Sequence, residues 1–197
     1  MAADYALMRQ NLRRFYDFTN KVVLYVGAGG KQLLDPSIPT KKLIAIDQNA
    51  ETLAELQANV AAKGMSNVDV LAARFEDITQ RGDVVYFEFC LHEMADPEKA
   101  LRRARTLAPD VVVYDHLPDS EWVFHGAEED KVRDSAAAME RFGIRRHEEF
   151  CTDQRFQDYA ELLAKVSVQG AVAIARAQKF KDATNIVIPM RYGLALL

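Results

Sequence analysis

Residues 22–47 read VVLYVGAGGKQLLDPSIPTKKLIAID: an apolar run empties into Gly27, Ala28, Gly29 and Gly30, and a second apolar run ends on Asp47. Continuous Val/Ile/Leu runs are the mark of parallel strands buried on both faces, and glycines directly after such a strand let a ligand approach the backbone. An acid about 20 positions further on, at the tip of the next strand, is placed to accept hydrogen bonds from both hydroxyls of a ribose. The stretch therefore predicts an α/β fold with a nucleoside-cofactor site at Gly27, Ala28, Gly29, Gly30 and Asp47.

The glycine spacing narrows the cofactor. A dinucleotide fingerprint GxGxxG needs a small residue at position 32, where the chain has Gln32. A phosphate-cradling P-loop fails as well, because Tyr25 stands where its first glycine belongs and Gln32 where its Ser or Thr belongs.

Working outward, strands are predicted near 22–26, 43–46, 68–71, 83–87 and 111–115, with helices near 30–35, 50–63 and 97–107 between them. Such alternation means a parallel sheet. Asn49 reads as an N-cap, Gly64 as the stop of the same helix, and Asp96-Pro97 as the start of the next. Within residues 1–20, Tyr5, Leu7, Met8, Leu12, Phe15, Tyr16 and Phe18 recur near helical spacing, with Arg9, Arg13 and Arg14 on the polar side, so a leading helix is expected. Residues 117–153 offer no run that reads as a buried strand; their charged amphipathic helix, EEDKVRDSAAAMERFG, suggests an inserted lid over the carboxyl ends of the strands. The last third predicts a helix over 156–168, a break at Gly170, and two strand-like runs, VAIARAQKF and NIVIPMRY, paired as an antiparallel hairpin through 181–184.

With 197 residues, 49% of them hydrophobic, the chain can bury a sizeable core as one domain, 1–197. A net charge of −4 argues against a sequence-independent grip on nucleic acid or on an anionic membrane surface. The N-terminal residues lack an apolar signal core and no run approaches the roughly 20 apolar residues of a spanning helix, so a cytoplasmic location is expected. Cys90 and Cys151 are too few for a disulfide framework and lack a CxxC spacing.

The G-x-G-G core with its downstream acid resembles the class I S-adenosylmethionine (AdoMet) methyltransferases. Their loop usually reads close to D-x-G-x-G-x-G, so Tyr25 replaces the acid and Lys31 the last glycine. Residues 82–116, GDVVYFEFCLHEMADPEKALRRARTLAPDVVVYDH, are similar to the ubiquinone/menaquinone-biosynthesis type, whose fourth strand runs into an L-H-x-x-x-D-P turn, here Leu91 to Pro97. The resemblance implies a doubly wound, Rossmann-like, seven-stranded and mostly parallel sheet closed by a C-terminal antiparallel hairpin, with AdoMet as cofactor. It implies that Gly27 to Gly30 face the methionine part and Asp47 the ribose, with Gln48 near the adenine edge. Glu76 and Asp77 would meet the adenine amino group, with Phe75 beside the ring, and Glu88 and Phe89 would pass beneath the methionine. Arg74 stands where the family often has Asp.

Methyl transfer from a sulfonium is an in-line displacement in which the protein mainly supplies alignment and exclusion of water. A base for the acceptor's proton could come from His92-Glu93 after the fourth strand or Asp115-His116 after the fifth, histidine being suited by its ordinary pKa of roughly 6.5. His92 could equally hydrogen-bond backbone or cofactor. A metal on His92, Glu93, Asp115, His116 and His125 lacks any local ligand spacing, and strand neighbours point to opposite faces, so no metal is expected. Glu88, between Phe87 and Phe89, must either reach the sheet tip or meet a partner. The expected acceptor is a small, neutral or partly apolar molecule against Tyr16, Trp122 and Phe124. Two alternatives stay open: a nucleic-acid methyltransferase, hinted at by Arg102-Arg103, Arg105 and Arg145-Arg146, and a cofactor-binding module without turnover, suggested by Tyr25, Lys31 and Arg74. A homodimer through the C-terminal hairpin or the leading helix is also left open.

Overall fold

The five predicted parallel strands form within a residue or two of their expected bounds in a computed structural model that describes residues 3–197. They are β1 (Val22–Val26), β2 (Lys42–Asp47), β3 (Val68–Ala72), β4 (Val84–Glu88) and β5 (Asp110–His116). Two antiparallel strands, β6 (Arg146–Asp158) and β7 (Thr184–Leu196), complete one seven-stranded sheet in the order β3-β2-β1-β4-β5-β7-β6. Strand order reverses between β1 and β4, which pair in parallel with Val26 opposite Phe87, and ligands of open α/β sheets bind at the carboxyl ends beside such a point.

Alternation along each strand divides the core. Val23 and Tyr25 face one layer and Leu24 and Val26 the other. The first layer holds the leading helix α1 (Tyr5–Phe15), α2 (Ala50–Ala62), α4 (Glu121–Gly126), α6 (Tyr159–Val166) and α7 (Ala171–Ala177), through side chains such as Leu12, Leu56, Trp122, Leu162 and Ala173. The second holds α3 (Pro97–Leu107) and α5 (Glu129–Phe142), through Leu101, Ala104 and Met139. The predicted caps form: Asn49 Oδ1 accepts from the N–H groups of Glu51 and Thr52, Asp96 Oδ1 accepts from that of Lys99, and Gly64 takes φ 63° after α2.

Three expectations are corrected. No α-helix occupies 30–35; Ala28–Gly30 make a single 3-10 turn bounded by left-handed Gly27 and Lys31. Residues 146–153, expected within an inserted lid and without a buried strand, are the first part of β6. The run VAIARAQKF is helical, its buried positions Ala173 and Ala177 lying one turn apart, and β7 pairs antiparallel with β5 and with β6, the latter separated from it in the chain by α6 and α7. Among the described residues no helix is long and apolar enough to cross a membrane.

Candidate active site

The glycine turn is fixed by contact. Gly27 has φ 73°, and a Cβ there would lie 2.7 Å from Cβ and Sγ of Cys90 and from the Glu88 carbonyl oxygen. Lys31 closes the turn with φ 64°, at the position where the similar family carries glycine. A left-handed conformation costs a non-glycine residue roughly 1–2 kcal/mol, and the 2.6 Å ion pair of Lys31 with the exposed Glu55 returns little of it. Lys31→Gly is therefore expected to stabilise the protein by about 1 kcal/mol, raising Tm by about 2–4 °C in a thermal melt; a lower Tm would show that the ion pair dominates.

Beside the turn lies a cavity of about 290 Å³ lined by Gly27, Asp47, Gln48, Phe75, Glu76 and Cys90. Asp47 Oδ1 accepts from the Asn49 N–H at 2.9 Å, which fixes the carboxylate at the tip of β2 while its second oxygen stays available. Phe75 is buried edge-on to Phe87 with ring centroids 5.1 Å apart. Glu76 is exposed at the cavity edge, 3.5 Å from Arg74 Nε, whereas Asp77 borders neither this cavity nor the larger one.

Glu88 is buried and finds the partner its position demands. Its Oε2 accepts from the Tyr25 hydroxyl, from the Gln32 N–H at 3.3 Å and from the Tyr86 hydroxyl at 3.4 Å. Burial pushes its pKa up to about 8, against these hydrogen bonds. Tyr25, at the position where the similar family has an acid, thus reaches an acid on the neighbouring strand. Phe89, next in the chain, has φ 46°, strain that for a bulky residue needs a packed surrounding; its ring lies 4.7 Å from Tyr114 and 4.6 Å from His116.

The tips of β4 and β5 bring the two predicted pairs together and give the histidines opposite character. His92 Nδ1 lies 2.5 Å from Asp115 Oδ1, and the His92 N–H donates to Asp115 Oδ2 at 3.1 Å. On its other side, Nε2 is 3.7 Å from Glu128 and 3.6 Å from Glu93. Burial pulls the His92 pKa down, but Asp115 and Glu128 outweigh it and push it up to about 10. Asp115 and Glu128 thus bias the ring toward its protonated form, which weighs against the expected role of His92 as a neutral-pH base. His116 is the reverse. Burial, helped by the positive charges of His92 and Lys165, lowers its pKa to about 4, and its buried Nδ1 has no hydrogen-bond partner among the described residues. Glu93 is exposed, paired with Lys131 at 2.8 Å. Among the described residues His92, Glu93 and Glu128 each bring one ligand atom within 4.8 Å of the others, near enough to hold an ion.

A larger cavity, of about 620 Å³, opens on the far side of Glu88, between Gly29, Phe89, His116 and Trp122. Of the expected acceptor surfaces only Trp122 lines it, stacked on Phe156 at 5.8 Å. Tyr16 sits at the opposite, amino end of the strands, its hydroxyl donating to Asp110 at 2.7 Å at the start of β5. Phe124 is 46% exposed beneath the Arg176 guanidinium and borders neither cavity. The leading helix contributes instead Tyr5, Met8 and Arg9, and α6 contributes Lys165. These were hidden in the sequence because their placement depends on how the helices dock rather than on any local motif.

Residues 24–114 match the family model Methyltransf_11, a methyltransferase domain. No curated protein matches the chain in sequence. Among solved structures, the chain is similar to the YcgJ protein from Bacillus subtilis (TM-score 0.69, 16% identity, 98% of this chain and 96% of that one). It is also similar to an S-adenosylmethionine-dependent methyltransferase from Aquifex aeolicus (0.60, 19%, 98% and 89%). A third is precorrin-6y C5,15-methyltransferase from Geobacter metallireducens (0.60, 13%, 97% and 87%). The sheet order and antiparallel C-terminal strands are those of the class I methyltransferase fold; the protein is a methyltransferase enzyme, with AdoMet as its cofactor.

Proposed function

We propose that the enzyme methylates a small-molecule acceptor held in the cavity of about 620 Å³, with His116 receiving the acceptor's proton. The observation that carries this reading is His116 itself: neutral, lining the cavity at a strand tip, with a buried and unpartnered Nδ1.

The residues suit the cofactor. The free oxygen of Asp47 can accept from ribose hydroxyls, Phe75 and Gln48 border the space for a base, and the Gly27 turn is a backbone that no side chain could occupy. When bound, AdoMet supplies an electrophilic methyl group. The protein's part is alignment and proton removal: Phe89 and Trp122 wall the acceptor from water, Glu88 closes the floor, and His116 takes the proton. The His92–Asp115 pair holds the two strand tips in register.

The acceptor reading draws support from the arginines that hinted at nucleic acid. Arg102 pairs with Glu98, Arg103 donates to the Ile78 carbonyl, Arg105 donates to Pro109 at 2.9 Å, and Arg145 and Arg146 pair with Asp110 and Glu148. They are anchored into the domain rather than gathered along a groove. The finer likeness to the quinone-biosynthesis type rests on Leu91, His92, Asp96 and Pro97, of which Asp96 caps α3 and His92 braces β5. Against a module without turnover stands the Tyr25–Glu88 contact, which keeps an acid at the turn despite the replacement on β1.

Calorimetric titration with AdoMet and S-adenosylhomocysteine, with NADH and ATP as controls, tests the cofactor site, and methyl transfer to screened acceptors tests turnover. Asp47→Ala is expected to weaken AdoMet at least about a hundredfold, since hydrogen bonds to a charged group contribute roughly 1.5–3 kcal/mol each, with the fold retained and Tm lowered by about 2–4 °C at most through loss of the Asn49 N–H contact. Unaltered affinity in that variant would remove Asp47 from the ribose.

A further inference from the structure

The lining of the larger cavity is unbalanced in charge. It includes Arg9, Lys31, Lys63 and Lys165 against one acid, Glu88. Arg9 is matched by Asp35 at 3.1 Å and Lys31 by Glu55 at 2.6 Å. Lys63 donates to the Leu34 carbonyl oxygen, and among the described residues neither Lys63 nor Lys165 has a carboxylate partner. Glu88 offsets little of this, because burial keeps it largely protonated at neutral pH. The cofactor does not restore balance: AdoMet brings a sulfonium and an ammonium against one carboxylate, so its arrival leaves the cavity more positive.

The remaining walls are apolar or aromatic, from Met8, Phe89, Trp122 and Met190. A site of this kind selects a ligand with an apolar body and a negative head. Lys165 is the cation next to the reacting region. It lines the cavity with His116, also borders the adjoining space of about 200 Å³ beside His92, and is one of the charges that depress His116.

We propose that the acceptor is an organic acid, its carboxylate or phosphate head held by Lys165 and its apolar body lying between Phe89 and Trp122. The inference rests on the small-molecule reading above and replaces the neutral acceptor expected from sequence. It also gives the base a function for its neighbour. An anion beside Lys165 offsets the positive charge there and raises the basicity of His116 only when the acceptor is in place.

The test is a titration of four probes that share one ring system: 2-naphthoate, 2-naphthyl phosphate, 2-naphthamide and 2-naphthylmethylamine. Each is added to the full chain with and without saturating S-adenosylhomocysteine. At least one of the two anions is expected to bind ten times more tightly than the amide, with the amine weakest, and the anion that wins identifies the head. Lys165→Met, at an exposed position, should reduce the anion's advantage over the amide to about twofold. Equal binding of all four, preference for the amine, no binding of any probe, or an unchanged preference in Lys165→Met would each overturn the proposal. Failure of S-adenosylhomocysteine itself to bind would count against the proposed function instead, and the probe ranking in the unliganded protein would still decide the charge preference.

Discussion

Replacing His116 with Gln is expected to cut methyl transfer about a hundredfold while AdoMet affinity stays within about twofold, the usual scale for losing a positioned general base. The expectation comes from a division of labour between two histidines whose rings are 5.5 Å apart. His92 has no proton to accept near neutral pH, because Asp115 and Glu128 hold it as a cation up to about 10. His116, lowered to about 4 by burial and by the positive charges of His92 and Lys165, is neutral throughout the physiological range. In the wild type kcat/KM, which reports the free enzyme, should accordingly be flat from about pH 5 to 8 and fall only below pH 5, as His116 protonates, rather than near the roughly 6.5 of an ordinary histidine. A midpoint near 6.5, or full activity in His116→Gln, would remove His116 from proton transfer.

The parts of the site that the sequence displays are those set by local backbone. Gly27 and Asp47 could be placed because a strand end followed by a glycine, and an acid at the next strand end, depend on the chain within a few residues of each. The pairing of His92 with Asp115 was legible only as a shared rim, since β4 and β5 are neighbours in any doubly wound sheet. The contrast between the surroundings of the two histidines was not legible. It is set in part by Glu128, just before α5, and Lys165, on α6, which come from separate parts of the chain and leave no spacing to read. The same contrast holds for the fold. The strands β1, β4 and β5 announce themselves as unbroken apolar runs because both faces are covered. β6 is an edge strand whose inward positions include Thr152 and Gln154, so no apolar alternation marks it. α7 was read with the wrong period because its buried face is made of alanines, while Val172 is 55% exposed.

Asp115→Ala is expected to be the most destabilising of the substitutions considered, by about 3–5 kcal/mol at pH 7, the cost of breaking a buried ion pair by removing one partner. Asp115 is 2% exposed and accepts from the His92 ring, from the His92 N–H, and from the His116 N–H at 2.9 Å, so the variant strips three hydrogen bonds from two strand tips. Its pH dependence distinguishes an ion pair from plain packing. Because the folded pKa of His92 is raised, the stability it contributes is complete below the unfolded value near 6.5 and is lost as pH climbs toward about 10. Glu88 acts in the same direction: with its folded pKa raised to about 8, the fold keeps a proton that the unfolded chain releases, so stability falls between roughly pH 4.5 and 8. His116, lowered to about 4, costs stability only as pH falls below about 6.5. The wild type should therefore lose stability steadily above pH 7 in urea melts, whereas Asp115→Ala should lose much less over the same interval, having already lost the partner that makes protonated His92 favourable. Parallel alkaline slopes in the two proteins would mean that His92 is neutral in the fold. The division between a structural cation and a catalytic base would then have to be redrawn.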